Sequence, residues 1–165
     1  MRLLGCLGIF LCILLLGISD RLKLEQRSRQ WQELQELLRL CIEELQINQS
    51  DSEEILQTIW DHGFHSSFLE ACLHAEGTIQ QRLTQAAAGF TEAKLQETAR
   101  HFALRFGMST LELQLEGLRS LQKICTEESE RSRQLERKVF YIFSYFINRI
   151  NCCQLSILSK IRICL

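Results

Sequence analysis

The stretch RQWQELQELLRLCIEELQI, Arg29 to Ile47, decides the fold. Its apolar residues fall at Trp31, Leu34, Leu38, Cys41 and Leu45, in steps of three and four that line one face of an α-helix. Leu37 and Ile42 widen that face to the width a helix needs to bury against a core. No breaker separates this stretch from the sequence upstream, so a single long helix is expected, ending near Asn48.

Upstream lies the apolar run LLGCLGIFLCILLLGI, Leu3 to Ile18, without a charge or a strong hydrogen-bonding side chain. As a helix it covers about 24 Å, a little short of the ~30 Å hydrocarbon layer, and Met1 and Ser19 extend it. Residues 1–19 therefore read as a transmembrane anchor. The rival is a cleaved secretory signal, but the run is long for that role and its exit, GISDRLK, lacks an Ala-x-Ala-like site. Arg21, Lys23, Arg27 and Arg29 follow the run, against Arg2 and the α-amino group before it. Basic residues resist translocation, so the domain that follows is expected on the cytoplasmic side. The same four cations are the expected membrane-surface residues, each gaining about 1 kcal/mol near anionic lipid.

The 165 residues hold no proline and only 8 glycines. Leu, Gln, Glu and Arg dominate, all good helix formers, so the chain reads as all-α. With 19 Lys and Arg against 20 Asp and Glu, there is no basic excess to neutralise phosphates, and no nucleic-acid partner is expected. The 8 cysteines include no Cys-x-x-Cys pair. Cys41, Cys72 and Cys125 lie on apolar helix faces, where a free thiol acts as a small hydrophobe in a reducing compartment.

Downstream of Ile47, Ser50-Asp51-Ser52-Glu53 has capping-box spacing and opens a short helix with Ile55, Leu56, Ile59 and Trp60 inward, stopped at Gly63. Ser67-x-x-Glu70 opens a helix expected to carry Phe68, Cys72, Ala75, Ile79 and Leu83. Ala86 to Gly89 loosens the chain. Thr91 is the expected cap of a fourth helix with Leu95, Ala99, Phe102 and Phe106 on one face, and Gly107 suits its C′ position. Ser109-x-x-Glu112 opens the last helix, whose apolar side is Leu111, Leu115, Leu118, Leu121 and Ile124. From Glu127 to Lys138 eight of twelve residues are charged, and this part reads as a solvated helix returning to the membrane. Domain boundaries are thus expected at residues 1–19 (anchor), 20–138 (helical bundle) and 139–165 (C-terminal apolar segment).

The segment from Val139 begins VFYIFSYFI, and Val139 to Ser159 is long enough for a second membrane span. Arg149 near its centre costs about 2.5–3.5 kcal/mol on insertion scales, which the surrounding apolar side chains can offset. The alternative is an interfacial amphipathic segment carrying Tyr141 and Tyr145.

Candidates for chemistry are sparse. Asp61-His62-x-x-His65 could begin a metal site, but Gly63 interrupts it and no further ligand completes the set, so a polar helix turn is the preferred reading. Cys152-Cys153 could be acylated near a membrane, and Asn48-Gln49-Ser50 is a glycosylation triplet without meaning in a cytoplasmic domain. No phosphate loop, Gly-x-Ser-x-Gly or HExxH occurs. No cofactor, metal or catalytic residue is expected.

The segment Leu104-Arg105-Phe106-Gly107-Met108-Ser109-Thr110-Leu111-Glu112-Leu113-Gln114 resembles the Leu-Gly-x-Ser-Asp-x-x-x-Gln stretch of the stage III sporulation protein AB family. Gly107, Ser109 and Gln114 match, while Thr110 stands where the family has Asp. The short anchor, Arg29-Gln30-x-x-x-Leu34 and the charged helix before an apolar C-terminus follow the same order. The chain lacks the family's prolines near Gln49 to Glu54, and its ending after Ile147 differs. The resemblance implies a small helical bundle similar to the cytoplasmic F domain of type II secretion platforms. It also implies a non-enzymatic subunit of the channel between mother cell and forespore, held in the mother-cell membrane beside a secretion-type ATPase, with self-association left open. In that reading Gly107 ends one helix and Ser109 caps the next. The alternatives are a membrane-tethered helical adaptor unrelated to sporulation and a membrane-bound hydrolase.

Overall fold

The long helix expected from Arg29 outward is α1, Arg2–Ile47, in the computed structural model. The structure describes residues 2–48, 51–107 and 110–163, with the side chains of 2–16, 142–143 and 146–163 excepted. Five further helices follow: α2 Ser52–Asp61, α3 Ser67–His74, α4 Ile79–Ala87, α5 Ala93–Arg105 and α6 Leu111–Ile163. The described residues contain no strand, as a proline-free, Leu- and Glu-rich chain requires. Among them no helix is long and apolar enough to cross a membrane. The side chains of the expected anchor, and of most of the C-terminal segment, lie outside the described residues.

The chain divides into two units. One comprises residues 27–130; the other comprises the segments up to Gln26 and from Arg131 onward. The core belongs to the first. Trp31, Leu34, Leu37, Leu38 and Cys41 of α1 are fully or almost fully buried, which is the face read from the sequence. They join Ile55, Leu56 and Ile59 of α2, Leu83 of α4, Leu95 and Phe102 of α5, and Leu118 and Cys125 of α6. Each such large side chain removed from water contributes about 1.5–3 kcal/mol before the entropy of ordering it is counted. Phe68 stacks on Phe90 with ring centroids 5.1 Å apart, and Phe102 tilts against Phe106 at 5.0 Å. These rings fill the space that the short helices α3 to α5 leave between them.

Helix boundaries follow the caps, with four departures from expectation. The helix expected to carry Phe68 through Leu83 is two helices. Gly77 adopts φ +112° and Thr78 caps α4 in a full capping box, its hydroxyl accepting from the Gln81 N–H while Gln81 Oε1 accepts from the Thr78 N–H at 3.1 Å. A left-handed glycine followed by a reciprocal cap terminates one helix and starts another. The cap of α3 is Ser66, whose Oγ accepts from the Leu69 N–H at 3.1 Å; Ser67 is the first helical residue. The cap position of α5 is Glu92, with no side-chain capping bond, and the Thr91 hydroxyl is used elsewhere. At α2 the cap is Asp51; Ser50 lies outside the described residues. Gly63, at φ +93°, follows the end of α2 as expected.

The stretch Glu127 to Lys138 is helical but not uniformly solvated. Glu128, Ser129 and Ser132 are buried, because they continue the inward face of α6 from Leu118, Leu121 and Cys125 at helical spacing.

Candidate functional site

Two groups of residues were expected to matter: the turn from Gly107 to Gln114 and the cations after the apolar run. At the turn, α5 ends at Arg105, Phe106 occupies the cap position and Gly107 takes φ +82° at C′. The Phe106 carbonyl accepts a long hydrogen bond from Gln80 Nε2 at 3.5 Å. The Gly107 backbone packs so tightly on α2 that a Cβ there would lie 2.5 Å from Ser52 Oγ. Ser109 lies outside the described residues. Thr110 is exposed and its carbonyl accepts the Gln114 N–H at 2.9 Å, the first turn of α6. Gln114 is buried, and its Nε2 has no hydrogen-bond partner among the described residues. Gly107 thus brings the end of α5 close against Ser52 of α2.

The four cations separate. Arg21 and Lys23 belong with the C-terminal part of α6, and the Arg21 guanidinium stands 5.4 Å from the Phe140 ring centroid, a cation–π contact. Arg27 and Arg29 belong to the bundle. Arg27 Nη2 donates to Glu92 Oε1 at 2.6 Å. The other oxygen of that carboxylate accepts from Trp31 Nε1 at 2.7 Å, and Trp31 has no exposed surface. One carboxylate therefore serves both a buried indole and the Nη2 group of a half-buried guanidinium, whose buried Nε has no hydrogen-bond partner among the described residues.

Glu92 is part of a wider clasp on the lower turns of α1. The Thr91 hydroxyl donates to Gln30 Oε1 at 2.9 Å, and Ser129 Oγ of α6 donates to Gln35 Oε1 at 2.9 Å. Lys94 Nζ meets Glu128 Oε1 at 2.7 Å, which pairs a carboxylate whose side chain is only 10% exposed. Arg82 reaches across from α4 to Glu53 on α2. None of Glu92, Gln30, Gln35 or Glu128 stands out in the sequence, since each partner lies tens of residues away. Burial raises the Glu33 carboxyl above its ordinary pKa, opposed by a hydrogen bond with Ser67 and the Arg29 charge. It pushes the Cys72 thiol up to about 11 and Cys125 to about 12, and Cys41 in the same direction, so these thiols stay protonated near neutrality.

Among the described residues no group of His, Cys, Asp and Glu is placed to hold a metal ion. The carboxylates at the clasp are engaged by cations and indole, an arrangement that fixes α1 in place. No family model, curated protein or solved structure matches the chain.

Proposed function

We propose that the chain is a non-enzymatic, membrane-tethered assembly subunit: α1 fixes it in the bilayer and the bundle of residues 27–130 offers a docking surface on the cytoplasmic side. The observation that carries this reading is α1 itself, one helix that contains both the run Leu3 to Ile18 and the buried core residues Trp31 to Leu45. The all-helical fold and the Gly107 turn agree with the resemblance to stage III sporulation protein AB. On that ground we assign the chain to the mother-cell-to-forespore channel, in the mother-cell membrane, next to a secretion-type ATPase.

Two measurements test it. The tagged full chain is expected to stay in the membrane fraction through alkaline carbonate extraction. Isolated from sporulating cells in mild detergent, it is expected to recover an ATPase with a phosphate-binding loop that vegetative cells do not yield. Carbonate release would refute the tether, and recovery of the same partners from both cell states would refute the sporulation assignment in favour of a general adaptor.

A further inference from the structure

The near-neutral total charge conceals two parts of opposite sign. Residues 27–130 hold nine Lys and Arg against seventeen Asp and Glu; the remaining segments hold ten against three. The bundle leaves Ile47, Leu104 and Leu113 exposed, and the basic unit exposes a further group of large apolar side chains that includes three aromatic rings. Tyr141 is 72% exposed, Tyr145 63% and Phe140 51% on α6, with Leu22 60% and Ile18 48% on α1. Cations share these surfaces: Arg21 and Lys23 on α1, and Arg133, Arg137 and Lys138 on α6, all exposed. The Arg21 contact with Phe140 ties the two helices at the level where aromatic and basic residues meet.

Neither water nor a protein core suits that combination. A face bathed in water gains nothing from clustered Tyr, Phe, Ile and Leu, and a face buried in protein would not leave five cations around them. The headgroup layer of an anionic bilayer suits both: tyrosine rings lie at the boundary between acyl chains and headgroups, and cations on either side reach phosphate. Both helices run on from this band into apolar sequence, Leu3 to Ile18 on one and from Val139 on the other.

We infer that Ile18 to Lys23 of α1 and Arg133 to Tyr145 of α6 together form a band that binds anionic lipid headgroups, phosphatidylglycerol-like in chemistry, in preference to zwitterionic ones. The inference rests on the membrane-tether reading and enlarges the expected membrane-surface set. Three of its five cations come from α6, whereas Arg27 is engaged with Glu92 inside the bundle.

The test uses the full chain purified in an uncharged detergent and native mass spectrometry with phosphatidylglycerol or phosphatidylcholine of the same acyl chains. Phosphatidylglycerol adducts are expected to exceed phosphatidylcholine adducts. Each cation near an anionic surface accounts for about a fivefold preference. The triple variant R133Q/R137Q/K138Q is therefore expected to lose the preference by on the order of a hundredfold. The control R100Q/R119Q, which removes exposed cations from the bundle, is expected to keep it, and circular dichroism verifies that both variants are helical. Equal binding of the two lipids by the unaltered chain overturns the inference. So does a dimer in neutral detergent that the triple variant dissolves without any lipid preference, since the basic band would then be taken by the acidic bundle of a second copy. Carbonate release from cell membranes with the lipid preference intact would refute the tether alone and leave the band standing.

Discussion

Replacing Glu92 tests the clasp that holds α1. In Glu92→Leu the indole N–H of Trp31 stays buried and loses its acceptor, 2.7 Å away in the unaltered protein. An orphaned buried donor costs about 1–3 kcal/mol. The Arg27 side chain, 32% exposed, can return to water, so its lost ion pair adds only about 0–1 kcal/mol. The expected total is about 1–4 kcal/mol. Glu92→Gln retains a carbonyl acceptor for the indole and should cost less, about 1 kcal/mol. Trp31→Phe removes the donor at the expense of a void, so its own effect mixes two terms. The double-mutant cycle of Trp31→Phe with Glu92→Leu separates them, and its coupling should be about 1–3 kcal/mol. The assay is urea unfolding of the full chain in mild non-ionic detergent, followed by circular dichroism so that the tryptophan change does not alter the signal. A coupling within about 0.5 kcal/mol of zero, the range of independent sites, would refute the role given to Glu92.

Gly107→Ala should lower stability by about 1–3 kcal/mol, because a Cβ must be accommodated at φ +82° and 2.5 Å from Ser52 Oγ. Adding Ser52→Ala should recover part of the loss but leave the backbone strain; full recovery would contradict the conformational argument. Glu33 binds its proton more tightly folded than unfolded, so its contribution weakens the fold as pH rises through and above its ordinary value of 4.5. Glu33→Gln should therefore gain in stability relative to the unaltered chain between about pH 4 and pH 7, and a pH-independent difference in urea midpoint would refute this. Cys41, Cys72 and Cys125 are buried and protonated at neutral pH, so peptide mapping after maleimide treatment should find them labelled only at the rate of unfolding. Labelling of Cys125 as fast as a free peptide thiol would show that α6 opens locally.

The apolar spacing from Trp31 to Leu45 and the glycine at position 107 were legible because both are local: a period of 3.6 and a single left-handed residue. The break between α3 and α4 was also written locally, in Gly77 and the Thr78-x-x-Gln81 box. It was hidden because Phe68, Cys72, Ala75, Ile79 and Leu83 keep helical step across it. The burial of Glu128, Ser129 and Ser132 was obscured by composition, since eight charges in twelve residues outweigh the phase inherited from Cys125. The use of Thr91 was not legible at all. Its capping capacity is a local property, whereas its partner Gln30 lies 61 residues away and is brought there by the packing of α1. The same holds for Glu92 at the candidate site, which only the tertiary fold distinguishes from other surface carboxylates.

The bond from Ser129 to Gln35 joins residues 94 positions apart, near the two ends of the bundle's sequence. During synthesis at about 5–20 residues per second, the partner for this part of α1 emerges roughly 5–20 s after α1 itself. The seam between the first and last helices is therefore the final one to close. Until then Gln35 faces water, and a ribosome stalled anywhere before α6 leaves the domain open along that side.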